Sequence, residues 1–301
     1  MLAIVIPYYK IEYFKETLDS LANQTNKNFK VFIGSDCSPD DPEDLISNYR
    51  NILNIKYNCF ENNLGSTSLV KQWDRCIELS EDEDWIMILG DDDYLSSNTV
   101  ETFYSNHRIF ENKTNLVRCA SQMIFDNSED ISINYTHPQW ESASNAFLRK
   151  QKGETRSSLS EYIFRKEQYD KYKFYDFPLA WYSDDRAWLD FSEDKEIFSL
   201  NNTTVFIRMS SSSISGSKEN KAQKRLASSQ FYRYLVDEKL DQFNKTYRKE
   251  IIKIYFERTL ALRNFSAKEW FWIFRLQFSN FSTKSFKKLV KSFFKSILKP
   301  K

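Results

Sequence analysis

Four short apolar runs, each separated from the next by a segment of helical spacing, leave this chain few architectures. LAIVI (Leu2 to Ile6), FKVFIGSD (Phe29 to Asp36), NIKYNCF (Asn54 to Phe60) and DWIMIL (Asp84 to Leu89) read as strands. The first and last are continuous apolar runs, as expected of parallel strands covered on both faces. Between them, Tyr13, Phe14, Thr17, Leu18 and Leu21 recur at helical spacing, and Leu45, Ile46 and Tyr49 form part of a second helix. Leu69, Val70, Trp73, Cys76 and Ile77 mark one face of a third, with Ser66 or Thr67 available to cap it. Strands alternating with helices predict right-handed crossovers and a doubly wound sheet. Such sheets bind ligands beyond the carboxyl ends of their strands, so the loops Pro7 to Lys10, Ser35 to Asp41 and Gly90 to Asp93 are expected to gather at one pocket.

Further along, SSNTVETFYSNHRIF (Ser96 to Phe110) predicts a helix, and two short strands are expected around Val117 and Ile124. A polar stretch to about Gly153 matches no element. SLSEYIFRKEQYDKY (Ser158 to Tyr172) reads as a strand or loop feeding a helix, and TTVFIRMSSSSIS (Thr203 to Ser215) as a final strand and serine loop. From about Lys218 onward the pattern is helical.

The composition, 41% hydrophobic and 28% charged, is that of a soluble protein. Four scattered cysteines, without a CxxC pair, argue against a metal-thiolate site or a disulfide scaffold and fit a reducing cytosol. Leu2 to Ile6 has neither a basic region before it nor a small-residue cleavage site after it, so no secretory signal is expected. No run approaches the ~18 apolar residues of a membrane span.

Charge is unevenly placed. From Asn264 to Lys301 nine Lys and Arg face one acid, Glu269, so this stretch carries +8 and the rest of the chain −7, within an overall +1. In KSFKKLVKSFFKSILK, Phe286, Leu289, Val290, Phe293, Phe294, Ile297 and Leu298 share one helical face, and Lys284, Lys287, Lys288, Lys291 and Lys295 the other. That pattern predicts an interfacial helix on anionic lipid; a helix packed on the body with a lysine-rich outer face is the alternative. The acidic body and the lack of any nucleic-acid motif argue against RNA or DNA as the partner.

The run WIMILGDDDYL drives a buried strand into three aspartates. Adjacent carboxylates raise one another's pKa and call for a cation, and oxygen-only ligands suit Mg²⁺ or Mn²⁺ completed by water and phosphate oxygens. A solvated acidic loop capping the next helix is the plainer reading. Neither GxxxxGK[ST] nor GxGxxG occurs, which weighs against kinase, GTPase and dinucleotide chemistry. A metal held by aspartates without a glycine-rich loop suits an enzyme that removes a nucleoside diphosphate.

Over roughly the first 215 residues the chain resembles a family 2 glycosyltransferase of the GT-A fold. AIVIPYYKIEYFKETLDSLANQT resembles the opening strand, nucleotide loop and following helix. FIGSDCSPDD resembles the V-D-D-G-S-x-D turn, with Ser35 in place of the first aspartate and Cys37 in place of the glycine. NNLGSTSLVKQW resembles the N-x-G helix start, ILGDDDYL the DxD-type metal motif, and FRK (Phe164 to Lys166) with SDDRAWL the acceptor-side "FR" and "ED" motifs. The fold implied is a Rossmann-like α/β unit over residues 1–217, with a nucleotide-sugar half (1–95) and an acceptor half (96–217), followed by a helical, basic extension over 218–301.

By that resemblance Pro7, Tyr8 and Asp36 contact base and ribose, Asn63, Gly65 and Lys71 line the diphosphate or base, Asp91 holds the ribose, and Asp92 and Asp93 bind Mn²⁺ or Mg²⁺. Asp185, or else Asp184, would be the general base of an inverting transfer. Lys71 or Arg208 would help the metal stabilise the leaving diphosphate. Lys71 also reads as an exposed helix lysine, and Asp184–Asp185 as a helix start. Arg208-Met209-Ser210 keeps the arginine of the family's last-strand motif but lacks its histidine; SSSSIS can supply hydroxyls or act as a lid. His107 and His137 fall in no motif. Trp140, Phe177, Trp181 and Tyr182 are candidates for sugar stacking or core packing, and Arg156 and Arg165 for an acceptor phosphate or surface ion pairs. The implied activity is transfer of one sugar from a nucleotide sugar, a UDP-sugar by preference, to a saccharide or lipid-linked saccharide acceptor in cell-surface polysaccharide synthesis, at the cytoplasmic face of a bacterial membrane. A metal-dependent nucleotidyltransferase and a non-catalytic sugar-binding or membrane scaffold are the competing readings.

Overall fold

The computed structural model describes residues 1–125, 131–209, 220–279, 290, 291, 293 and 294. They belong to two compact units, one of residues 1–176 and 183–217, the other of residues 177–182 and 218–301.

The first unit is built on one mixed sheet. Strands β1 (Leu2–Tyr8), β2 (Phe29–Ser35), β3 (Ile55–Cys59) and β4 (Trp85–Ile88) run parallel in the order β3-β2-β1-β4. Their crossovers carry α1 (Phe14–Ala22), α2 (Glu43–Ser47) and α3 (Leu69–Ile77). Leu2 to Ile6 and all of β4 are buried, as strands covered on both faces require. The cap of α3 is Ser68, whose hydroxyl accepts from Lys71 N at 3.1 Å, rather than Ser66 or Thr67.

The order reverses between β1 and β4, the switch point at which open α/β sheets bind ligands. Beyond it the sheet continues as β8 (Tyr162–Arg165), β6 (Leu116–Phe125), β9 (Glu196–Met209) and the two-residue β5 (Tyr94–Leu95). The two strands expected around Val117 and Ile124 are one ten-residue strand, which slips register against β9 between Cys119 and Ala120. The polar run of that strand gave the appearance of a break. The stretch that matched no pattern contains β7 (Trp140–Ser142), paired with β9, and α5 (Ala143–Gln151), capped by Ser142. The helix α4 (Thr99–Phe110) covers the sheet, and α6 (Lys166–Tyr172) and α7 (Ser183–Phe191) follow β8.

A buried charge cluster fixes the turn before β8. Glu161 accepts from Arg118 Nε at 3.2 Å and Nη2 at 3.0 Å through one oxygen, and from Arg156 at 2.9 Å and Ser158 at 3.1 Å through the other. Burial alone would raise this carboxyl, but Arg118 and Arg156 hold it below the usual range. Arg118 itself is almost fully buried.

The second unit contains α8 (Lys221–Tyr234), a π-helical turn (Leu235–Lys239), α9 (Lys245–Leu262) and α10 (Ala267–Ser279), around Phe231, Leu235, Ile252, Tyr255, Phe265 and Trp270. Residues 177–182 join it through Tyr182, whose ring stacks on Phe231 at 4.5 Å. Leu179, Ala180 and Tyr182 in this short segment all have positive φ, which costs non-glycine residues about 1–3 kcal/mol each. Most of the predicted interfacial helix lies outside the described residues, as does the serine loop. Of its apolar face, Phe293 packs on Trp270 and Phe274 at 5.1 and 5.6 Å. No helix among the described residues is long and apolar enough to cross a membrane.

Glu161→Gln should leave the buried Arg118 and the half-buried Arg156 without their counter-ion and destabilise the protein by about 3–5 kcal/mol, read from the denaturant midpoint of unfolding. A loss below about 1 kcal/mol would show that the cluster does not hold this turn.

Candidate active site

Two loops close over the ends of β1 and β2. Tyr8 is buried, its ring against Phe14 at 4.6 Å and its hydroxyl donating to Asp40 O at 2.9 Å. Burial pushes its phenol up to about 12. Pro7 lies beside Gly34 in the parallel ladder, and Asp36 N donates to Tyr8 O at 3.0 Å. The Asp36 carboxylate accepts from Leu64 N at 2.7 Å and Gly65 N at 2.9 Å, and forms an ion pair with Arg75. A Cβ on Gly65 would lie 2.5 Å from Asp36 Oδ2, so only glycine allows the backbone this close to the carboxylate. Arg75 lies over the Phe60 ring at 3.9 Å and donates to both the side chain and the backbone carbonyl of Asn62 at 2.8 Å. Asn63 closes the turn by accepting from Ser66 N at 2.8 Å. Lys71 is exposed on the first turn of α3.

The three aspartates at the end of β4 are held differently from one another. Asp91 Oδ2 accepts from Tyr9 N at 2.7 Å and Lys10 N at 2.8 Å, tying the loop after β1 to that after β4 across the switch point. Asp93 is buried; Oδ2 accepts from Ser160 Oγ at 2.6 Å and Oδ1 from Arg208 N at 2.9 Å. Ser160 Oγ also accepts from Gly90 N at 3.1 Å. Asp92 is partly exposed. Burial, with the charge of Asp92 beside them, raises Asp91 to about 6 and Asp93 to about 7. A Cβ on Gly90 would lie 2.9 Å from Asp93 Oδ2 and 3.0 Å from Asp92 Oδ1, so the glycine lets the carboxylates fold back on the strand end. Arg208, at the end of β9, donates from Nε to Asp92 O at 3.2 Å, pairs with Glu16 at 2.6 Å and lies over Tyr13 at 3.7 Å.

This donor set fits a hard divalent cation: adjacent carboxylates, two of them driven toward protonation by burial and mutual repulsion, gain from an added positive charge. Asp91 and Asp93 spend oxygens on protein donors, and Asp92, between them, is partly exposed. Among the described residues no group of three or more His, Cys, Asp and Glu side chains is gathered as a metal site, and a Mg²⁺-type site that keeps its waters for phosphate oxygens needs only one or two carboxylates.

At the start of α7, Asp185 is buried and both its oxygens accept from Lys150 Nζ, at 2.7 and 2.8 Å. Asp184 is partly exposed at the start of α7, and burial together with the charge of Asp185 raises it to about 6. The segment 159–165 links the two sides, because Ser160 holds Asp93 while the ring of Tyr162 stacks on Trp188 of α7 at 4.2 Å.

Other candidates take structural places. Arg165 pairs with Trp85 at the amino end of β4, away from the ligand end, with its guanidinium over that ring at 4.6 Å. Arg156 serves Glu161, Trp140 packs against Phe198 at 4.8 Å, and Phe177 and Tyr182 pack on Phe231. His137 is buried, which with the nearby Arg118 lowers its pKa to about 3. Sequence reasoning missed Arg75, Ser160 and Lys150. Arg75 lies four residues after Lys71 on the same helix and was findable by spacing; the other two gave no local signal.

Residues 3–185 match the family model of glycosyl transferase family 2. The chain belongs to that family. Over 102 residues it is 31% identical to the poly(ribitol-phosphate) beta-N-acetylglucosaminyltransferase TarS of Staphylococcus aureus, a match that covers 33% of this chain and 17% of the relative. Among solved structures, TarS 1–349 in complex with UDP-GlcNAc superposes with a TM-score of 0.66 at 17% identity, over 87% of this chain and 73% of the other. GalNAc-T7 with UDP, GalNAc and Mn²⁺ gives a TM-score of 0.52 at 13% identity, over 86% and 55%. At these identities the structures establish the shared GT-A fold: a central mixed sheet with flanking helices, followed here by a helical C-terminal region.

Because Asp93 is raised to about 7, the native state retains a proton that the unfolded chain has released above about pH 4, so the contribution of this group to stability falls as pH rises from about 4 to about 7. Asp93→Asn cannot ionise. In metal-free buffer the melting temperature of the variant relative to wild type should therefore climb across that window; a constant difference would contradict the placement of Asp93.

Proposed function

We propose that the chain transfers N-acetylglucosamine or a related sugar from a UDP-sugar, with inversion, to a hydroxyl of a cell-surface polymer or lipid-linked saccharide. The observation that carries this reading is the grouping, at the carboxyl ends of β1, β2 and β4, of the Asp36–Arg75 pair with the Asp91–Asp93 triplet. Asp36 and Arg75 together offer an acceptor and a donor to the edge of a uracil, with Pro7 and Tyr8 forming the floor and Asn63 and Gly65 shaping the loop opposite. Asp91 holds the ribose side, while Asp92, backed by Asp93, holds Mn²⁺ or Mg²⁺. The ion supplies neutralisation of charge on the leaving diphosphate. Lys71 and Arg208 add fixed positive charge to that region.

Asp184 orients the acceptor, and Asp185, held in place by Lys150, is the base. The base takes the proton from the acceptor hydroxyl as that oxygen bonds to the anomeric carbon and the bond from that carbon to the diphosphate oxygen breaks on the opposite face. The relative's stated acceptor, poly(ribitol phosphate), and the UDP-GlcNAc bound in the solved TarS complex support this choice of probes. The C-terminal unit would bring the enzyme to the cytoplasmic face of an anionic bacterial membrane, a reading supported by the +8 charge after Asn264 and by Phe271, which is 75% exposed on α10.

A thermal-shift panel of UDP, GDP, CMP and dTDP, each with and without Mn²⁺, should show selective stabilisation by UDP that is strengthened by metal. Saturation at about 100 times Kd corresponds to about 2.7 kcal/mol. Asp92→Asn should lose the metal increment. Asp185→Asn should bind UDP as wild type does while losing about 10²–10⁴-fold in kcat on UDP-GlcNAc. Stabilisation by no nucleotide would overturn the reading. Flotation with phosphatidylglycerol vesicles tests the membrane contact separately: the protein should float with them and not with neutral phosphatidylcholine, and absence from both fractions would remove that part of the proposal.

A further inference from the structure

Between α6 and α7 the chain leaves the first unit after Asp176 and returns to it at Ser183, and the residues between, 177–182, belong to the second unit. Both ends of this excursion are pinned in the first unit. Phe174 is buried against Phe164 and Phe191 at 5.8 and 5.4 Å, and Ser183 Oγ donates to Tyr175 O at 2.6 Å. The middle is held on α8. Tyr182 stacks on Phe231 with the ring planes 5° apart, Phe177 meets Phe231 edge-on at 6.1 Å, and Lys224 Nζ lies 4.5 Å over the ring of Trp181.

Local hydrogen bonding gives the segment little support of its own: a single turn at Pro178–Ala180 is closed by Ala180 N donating to Phe177 O at 2.8 Å. Leu179, Ala180 and Tyr182 nevertheless take φ of 61°, 52° and 74°. Residues with side chains persist in that region only where their surroundings over-determine them, and here the surroundings are the rings of α8. Tyr182 has the most direct consequence, because the next three residues are Ser183, Asp184 and Asp185. Its backbone sets the direction in which the chain enters the first turn of α7. Lys150 holds the Asp185 carboxylate at its tip, and the entry to α7 holds its backbone.

We propose that Tyr182, held by Phe231, is a positioning residue for sugar transfer, so that α8 sets the placement of the acidic pair through the entry to α7. This rests on the reading that Asp185 is the base. The C-terminal unit thereby contributes to turnover as well as to any attachment at a membrane. Misplacing a reacting group by about 1 Å can cost about 10²-fold in rate, whereas the donor site, built on β1, β2 and β4, keeps its own supports.

The test uses the full chain with UDP-GlcNAc, Mn²⁺ and poly(ribitol phosphate), with active sites counted by UDP-binding stoichiometry. Tyr182→Ala should lower kcat per UDP-binding site by about 10- to 10²-fold while the UDP-GlcNAc KM stays within about twofold. Phe231→Leu, which keeps an apolar side chain in the core, should act in the same direction, and Tyr182→Phe, which keeps the ring, should stay near wild type. In an Asp185→Asn background Tyr182→Ala should cost little further, because the group it positions is gone. A second readout needs no turnover. Amides 186–189, whose helical partners are the carbonyls of 182–185, should exchange about tenfold faster or more in Tyr182→Ala, while residues 90–93 keep their wild-type protection. Unchanged exchange at 186–189, an unchanged kcat per site with only a lower melting temperature, or a loss that multiplies with that of Asp185→Asn would each overturn the proposal and leave an ordinary packing contact. Wild-type turnover by Asp185→Asn alone would instead overturn the assignment of the base, so the two failures are distinguishable.

Discussion

Holding three adjacent carboxylates at the end of a buried strand is the constraint on which the active end of this protein depends. Asp91, Asp92 and Asp93 repel one another, and two of them are largely removed from water. The chain answers by bringing donors from three distant segments: the backbone of Tyr9 and Lys10 after β1, Ser160 before β8, and Arg208 at the end of β9. Each carboxylate oxygen so engaged recovers part of its lost hydration. The same bonds join the parallel half of the sheet to the mixed half, so the electrostatic need of the triplet and the closure of the fold are met by one set of contacts.

Ser160 and its neighbours extend that logic to the acidic pair at the start of α7. One residue on, Glu161 is clamped between Arg118 and Arg156, and one further, Tyr162 stacks against the helix that begins at Ser183. A short segment thus sets the position of both the donor loop and the acidic pair. Burying Glu161 and Arg118 is costly, and once buried they must remain paired. The return is a rigid link between the end of β4 and the start of α7.

Much of the parallel half was legible because its physics is local. Continuous apolar runs mark strands with two covered faces, helical spacing marks what lies between, and the carboxyl-end rule places the loops. Legibility failed where the side-chain pattern and the backbone part company. The run from Leu116 to Phe125 includes Arg118, Ser121 and Gln122, and reads as an interrupted strand because the partners of Arg118 and Gln122, Glu161 and Ser132, come from elsewhere in the chain. The helix carrying Lys150 is polar enough to pass for a loop. The family resemblance pointed to Asp36, Asp92 and the Asp184–Asp185 pair by motif, with Asp185 first as the base, yet it gave no sign of the Lys150 that holds Asp185.

The sequence by itself determined the fold class, the family, the order of the motifs and the set of acidic residues at the carboxyl ends of the strands, because each of these is written in apolar periodicity or in contiguous residues. Only the tertiary structure decided which carboxylate each cation and hydroxyl serves: Arg75 for Asp36, Ser160 for Asp93, Lys150 for Asp185. Those pairings join residues 39, 67 and 35 positions apart, and their strength comes from the exclusion of water, which no local spacing encodes.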